Sequence, residues 1–174
     1  MGGTILYPTD TIWGIGCDAT NPKAAEKVYK LKGRMPQKSL ICLVESLEKL
    51  EEYVGNIPEM AVDLIESMTD PLTIIYPGAK NLAKNIVAED HTIAIRIPRD
   101  EFCIALLKAF GKPITSTSAN VSGDPSPLSF SKISPDIISG VDYVVNLNQD
   151  RINRPKASTI IRISDSGEVQ ILRN

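Results

Sequence analysis

Two groups of residues in this chain have the types and spacing to hold phosphate oxygens. Between positions 23 and 38 lie six basic residues, Lys23, Lys27, Lys30, Lys32, Arg34 and Lys38, against the single acid Glu26, whereas 45–70 holds eight acids and one lysine. Lys23, Lys27 and Lys30 share a helical face by their i,i+3 and i,i+4 spacing and read as a solvated surface. Lys32 and Arg34 stand where the helical pattern gives way to Gly33 and Met35-Pro36. Their heads are free to converge on one point there, and a planar guanidinium suits a phosphate bound through two oxygens. Charge runs are also commonly just hydrated, so spacing alone leaves both readings open.

The second group is the stretch 115–126 (TSTSANVSGDPS), rich in hydroxyls, following an apolar run. Such a loop exposes hydroxyls and backbone N–H groups to a ligand, and the same residues also simply make turns. Arg96 forms a third feature. It sits inside 92–97 (TIAIRI), where alternation puts Thr92, Ala94 and Arg96 on one face of a strand. A charge there is costly unless it meets a carboxylate from one of the acidic helices or faces a cleft.

Familiar catalytic signatures are missing. The chain has no G-x-x-x-x-G-K-[ST], and Gly14-Ile15-Gly16 lacks the third glycine of a dinucleotide fingerprint. His91 is the sole histidine, which excludes a multi-histidine metal site and reads as a surface residue. Cys17, Cys42 and Cys103 are odd in number and widely spaced, so they read as small buried side chains. A formal charge of -2 and a pI near 5.5 argue against indiscriminate coating of nucleic acid. No run has the length and apolarity of a membrane helix, and the first residues lack the pattern of a signal peptide, so a cytoplasmic location is expected.

The elements that must position these residues follow from periodicity. Strands are predicted at 4–8, 12–17, 39–44, 72–76, 92–97, 113–117, 158–163 and 168–173. Residues 4–8 and 12–17 meet at the polar elbow Pro8-Thr9-Asp10-Thr11. Asn21-Pro22 offers a cap and a first-turn proline for a helix to about 32, and further helices are expected at 46–54, 58–68 and 100–110, the last ended by Gly111. Helices between strands imply parallel pairs, while the elbow and a final hairpin at Asp165-Ser166-Gly167 add antiparallel ones. With 174 residues the expectation is one α/β domain spanning 1–174.

Taken together, PTDTIWGIGCDA at 8–19, KGR at 32–34, PLTIIYPG at 71–78, TIAIRIP at 92–98, STSANVSGDPSP at 116–127, ASTI at 157–160 and ILR at 171–173 resemble the YrdC family of threonylcarbamoyl-AMP synthases. The resemblance implies an α/β fold with a twisted mixed parallel/antiparallel sheet, helices packed on it and a concave, positively charged groove. It further implies ATP-dependent synthesis of L-threonylcarbamoyl-AMP from L-threonine and bicarbonate or CO2, with Mg2+ accompanying ATP and no metal held by the protein's own ligands. The product serves a downstream tRNA threonylcarbamoyl transferase complex, with tRNA or double-stranded RNA as a further contact. Carried over by position, Lys32, Arg34, Ser118 and Asn120 are the catalytic set. Arg34, Lys38, Thr92, Ser118, Asn120, Ser126 and Arg173 contact ATP, and Thr11, Arg96, Ser116 and Ser158 line the threonine side. Leu43 departs from the pattern, standing where many members have a histidine. A YciO-like sister protein, or an RNA-binding module without synthase activity, are the alternatives. The first is disfavoured by the intact Lys32-Arg34 and Ser118-Asn120 pairs, the second by the modest basic content.

Overall fold

The computed structural model describes residues 2–34, 40–152 and 157–174, and Lys38 lies outside them. The strands are β1 (Thr4–Tyr7), β2 (Gly14–Cys17), β3 (Ile41–Leu43), β4 (Leu72–Tyr76), β5 (Ile93–Arg96), β6 (Ile114–Ser118), β7 (Tyr143–Val144), β8 (Thr159–Ile163) and β9 (Val169–Arg173). The helices are α1 (Pro22–Lys32), α2 (Leu47–Glu51), α3 (Glu59–Ser67), α4 (Glu101–Phe110) and α5 (Pro135–Gly140). Among the described residues no helix is long and apolar enough to cross a membrane.

The nine strands form a mixed sheet in the order β7-β1-β2-β6-β3-β5-β4-β8-β9. Parallel pairing is rarer than the helical crossovers predict: β1/β7, β3/β5 and β4/β8 are parallel, and the other five pairs are antiparallel. Two features cause this. β6 inserts antiparallel to both neighbours between β2 and β3, the strands that α1 connects. β4 and β5 are joined by a loop whose only regular piece is the short 3-10 turn Lys84–Ile86, so no crossover forces them parallel.

The two faces of the sheet are covered unequally. Ile15, Cys17, Cys42, Ile74, Tyr76, Ile93, Ile95, Ile161 and Ile163 point to one face. There they pack with Ala24, Ala25 and Val28 of α1, Leu50 of α2, Ala61 of α3 and Ile137 of α5. Among the described helices the opposite face meets α4, where Tyr7, Leu43 and Ile114 pack against Cys103 and Leu107, with Val145 at the edge of the cluster. The alternate residues Ile75, Ala94, Arg96 and Ile160 are left by that short helix to line a cavity. Leu43 is 1% exposed beneath α4, packed among Tyr7, Cys103, Leu107 and Ile114 and not on the cavity lining.

Local chemistry sets the helix ends. Asn21 accepts from the backbone N–H groups of Lys23 and Ala24 at 3.0 and 3.3 Å, ahead of Pro22. Gly33 closes α1 at φ +58 in a left-handed cap, with Arg34 N–H donating to Tyr29 O at 2.9 Å, and Gly111 ends α4 in the same conformation. All three cysteines are buried, and burial pushes the Cys17 thiol up to about 11. His91 is exposed.

The glycines of β2 reflect a close approach. Tyr7, in register with Gly14, crosses the strand and donates its hydroxyl to Thr115 O at 3.1 Å. A Cβ on Gly16 would lie 2.5 Å from that same carbonyl oxygen and 2.8 Å from the Tyr7 ring. Relief requires β2 and β6 to separate, an overpacking cost at the upper end of about 1–3 kcal/mol. Gly16→Ala is therefore expected to lower Tm by about 6–12 °C, checked by calorimetry.

Candidate functional site

A cavity of about 340 Å3 opens on the side of the sheet that α4 leaves bare, within the size range of small-ligand sites. Its lining includes Arg34, Arg96 and Arg173 together with the hydroxyls of Thr9, Thr11, Ser116, Thr117, Ser118, Ser126 and Ser158, and no described lining residue is acidic. Three cations among hydroxyls, without a lining carboxylate, suit an anionic ligand.

At one end the Pro8–Thr11 elbow turns on its own side chains. Thr9 Oγ1 accepts from Thr11 N–H at 3.1 Å and donates to Ile12 O at 2.7 Å. This presents Thr11 Oγ1 to Arg96 Nη1 at 3.2 Å. Arg96, 5% exposed, also pairs with Asp10 at 3.3 Å. Both sequence readings of Arg96 therefore hold at once, since the arginine faces the cleft and is paired. Its partner comes from the elbow, not from the acidic helices.

At the other end β6 delivers Ser116, Thr117 and Ser118 to the wall, and the α1 cap delivers the half-buried Arg34. The two phosphate-suited groups of the sequence thus meet in one place. The structure differs from the sequence expectation in what Lys32 does. It is 2% exposed, it is not among the lining residues, and its ammonium donates to the backbone carbonyls of Ser118 and Asn120, the latter at 2.6 Å. A lysine side chain does not reveal from sequence which oxygen it will reach, and here the nearest oxygens belong to the loop. Asn120 lies just beyond the wall, its Nδ2 donating to Val121 O and Asp124 O at 3.0 and 2.7 Å.

Along the far wall Arg173 Nε and Nη2 both donate to Ser158 O, at 3.0 and 2.8 Å, and Ser158 Oγ lies 2.7 Å from Thr73 Oγ1. Arg173 faces the cavity because of a register shift. Ile161 pairs with Ile171 but Ile160 pairs with Arg173, so Leu172 is an extra residue that turns Arg173 onto the cavity face. Thr92 lies elsewhere on this face, with Pro77, Arg162 and Gln170 around a second hollow of about 500 Å3, its hydroxyl donating to Asp90 at 2.7 Å.

Burial, and then the nearby Arg34 guanidinium, push the Lys32 amine down to about 8. Burial also holds Arg34 below the ordinary arginine value, and burial followed by Arg96 does the same to Arg173. Burial is the main cause of all three shifts, and a neighbouring cation adds to it at Lys32 and at Arg173.

Sequence reasoning missed Thr9, Asp10, Thr73 and Thr117. Thr9 and Asp10 stood in the quoted PTDT stretch, and the Thr9-to-Thr11 spacing is that of a hydroxyl-stabilised turn. Among the described residues no group of three or more His, Cys, Asp or Glu side chains could hold a metal ion. The Asn120 Oδ1 atom, buried with no hydrogen-bond partner, is nonetheless a hard oxygen donor of the kind Mg2+ accepts.

Comparison with known proteins agrees with this geometry. Over residues 1–174 the chain matches the Sua5_yciO_yrdC family model, described as "Telomere recombination". It is 34% identical over 149 residues to the threonylcarbamoyl-AMP synthase of Pseudoalteromonas translucida, covering 84% of this chain and 80% of that protein. It is 32% identical over 177 residues to the threonylcarbamoyl-AMP synthase of Xanthomonas euvesicatoria pv. vesicatoria, covering 100% of this chain and 92% of the relative. The structure of P. abyssi Sua5 complexed with L-threonine superposes with a TM-score of 0.88 at 30% identity, over 99% of this chain. This chain spans 50% of that longer protein. With a match from the first residue to the last and relatives above 30% identity along most of its length, the chain belongs to the Sua5/YciO/YrdC family.

Proposed function

We propose that this chain makes L-threonylcarbamoyl-AMP from L-threonine, bicarbonate or CO2, and ATP, releasing pyrophosphate, as the activated intermediate for threonylcarbamoyladenosine in tRNA. The observation that carries this is a single cavity lined by Arg34 and Ser118 at one end and by Arg96 and Thr11 at the other. Relatives named threonylcarbamoyl-AMP synthase and the threonine-bound Sua5 structure support the same assignment. Residues 1–174 act as one domain, and a product destined for tRNA gives the cytoplasm as its place of manufacture.

Arg96 takes the threonine carboxylate, with Thr11, Ser116 and Ser158 around the amino acid. The threonine amine adds to CO2, forming an N–C bond and giving up a proton. Starting from bicarbonate, one water is lost as well. An oxygen of the resulting carbamate attacks the α-phosphorus of ATP, the bond from that phosphorus to the bridging oxygen breaks, and pyrophosphate leaves with the electron pair. Displacement at phosphorus asks the protein for alignment and charge neutralisation and little covalent help, which cations and hydroxyls supply without a catalytic dyad.

Arg34, Ser118, Ser126 and Arg173 hold the nucleotide, and their charge without a lining acid is what makes the groove positive. Lys38 and Thr92 belong to this set by resemblance. Mg2+ enters with ATP, Asn120 Oδ1 and Ser118 Oγ would hold it, and it would supply charge neutralisation on the phosphates. A tRNA-directed transferase consumes the product, and tRNA contact at the groove is the remaining partner reading.

Purified protein is expected to release pyrophosphate from ATP only when threonine and bicarbonate are both present, measured by a coupled phosphate assay. Release that continues without threonine, or RNA binding with no turnover, removes the synthase assignment.

A further inference from the structure

A triphosphate and a loop carbonyl repel each other, so a loop that holds phosphate must turn its carbonyl oxygens elsewhere. Lys32 collects two of them. Its ammonium donates to Ser118 O and Asn120 O, on either side of Ala119. Its own carbonyl accepts from Ser122 N–H at 2.8 Å, so one residue grips the loop from both its head and its backbone. Ala119 N–H donates to Trp13 O at 3.0 Å, which fastens the loop to β2's entry as well. Swinging the ammonium toward a phosphate would take this donor from Asn120 O and leave Ser118 O with only the Asn120 N–H at 2.9 Å, and acceptors left without partners away from water are costly.

We propose that Lys32 serves the nucleotide site as a strut and not as a phosphate ligand. It draws the Ser118 and Asn120 carbonyls behind the loop, so that the Ser118 hydroxyl and the unpartnered Asn120 Oδ1 are what the triphosphate and its metal ion meet. The role of this loop toward ATP rests on the function proposed above; the strut itself does not. Arg34, two residues on and on the cavity wall, is then the cation of this pair that touches phosphate. Burial, and then the Arg34 charge, push this amine down to about 8, as expected of a lysine folded behind the loop beside a second cation.

The test uses the full chain as Lys32→Met, Asn120→Ala and the double variant, with ATP affinity read by calorimetry and amide hydrogen exchange read without nucleotide. The expected ATP affinity of Lys32→Met is about ten- to a hundredfold below wild type. The double variant should stay within about threefold of the weaker single, because both changes act through one loop. Without ligand, the Asn120 and Ser122 amides should exchange about tenfold faster or more in Lys32→Met, while the Ile74 amide in β4 keeps its rate. Losses that multiply in the double variant overturn the proposal, as do Asn120 and Ser122 exchange rates equal to wild type, or an equal acceleration at Ile74. If Lys32→Met does not fold, Lys32→Gln, which keeps one donor, is read at the same amides by the same criteria. Should wild-type protein bind no ATP, the proposed function fails while the nucleotide-free exchange still decides the strut.

Discussion

Arg34→Ala is expected to lower kcat/KM for ATP by about a hundred- to a thousandfold, the loss that follows removal of one preorganised group facing developing charge. The left-handed Gly33 cap ends α1 abruptly and sends the next residue back along the loop, and Arg34 reaches the cavity wall half-buried, where water screens it little. Its planar guanidinium can hold two phosphate oxygens at once, which an ammonium cannot, so Arg34→Lys should recover only part of the loss. The comparison variant is Lys23→Ala. Lys23 is exposed near the start of α1, far along the helix from the cap, and its loss should leave turnover within about twofold of wild type. Initial rates of pyrophosphate release measure both. Equal losses in the two variants would mean that the basic segment acts as a diffuse field and that the cap does not select one cation.

Arg96→Met separates two consequences of a buried pair. It leaves Asp10, whose side chain is 15% exposed, without its counter-charge, and breaking such a pair from one side costs about 3–5 kcal/mol. It also removes the cation proposed for the threonine carboxylate, so KM for threonine should rise about a hundredfold or more. The double variant Arg96→Met with Asp10→Asn should regain most of the lost Tm, because no isolated charge is then buried, yet keep the high KM. Thermal unfolding and threonine titration of the rate give the two readings. A double variant as unstable as the single would show that the methionine disrupts packing. An unchanged KM would move the carboxylate to another residue, with Arg173, which lines the same cavity and feels the Arg96 charge, the next candidate.

The strands that carry the site were legible because period-two alternation survives wherever one face is apolar and the other is not. In β5 it separates Ile93 and Ile95 from Ala94 and Arg96, as the structure does. The sheet order was not legible, since nothing local to β6 says that it will enter between β2 and β3. α5 and β7 were missed for opposite reasons. Two residues are too few for any period, whereas Ser134-Pro135 before Asp136 is a capping signature that was there to be read. The orientation of Lys32 could not be read at all, because its partners are carbonyls from a segment 86 and 88 residues away.

The surplus residue Leu172 works as a parity bit. Side chains along a strand take sides by odd and even count, and one added unit after Ile171 inverts the answer for everything that follows. Run the same residues through an unbroken ladder, and Leu172 would take the seat in front of Ile160 while the terminal guanidinium was delivered to the aliphatic layer beside Ile161 and Ile163. Among relatives, then, a gap of a single residue at this point closes the bulge and still seats the final arginine opposite Ile160. A strand of full length that lost the bulge would instead turn that arginine away from the cavity.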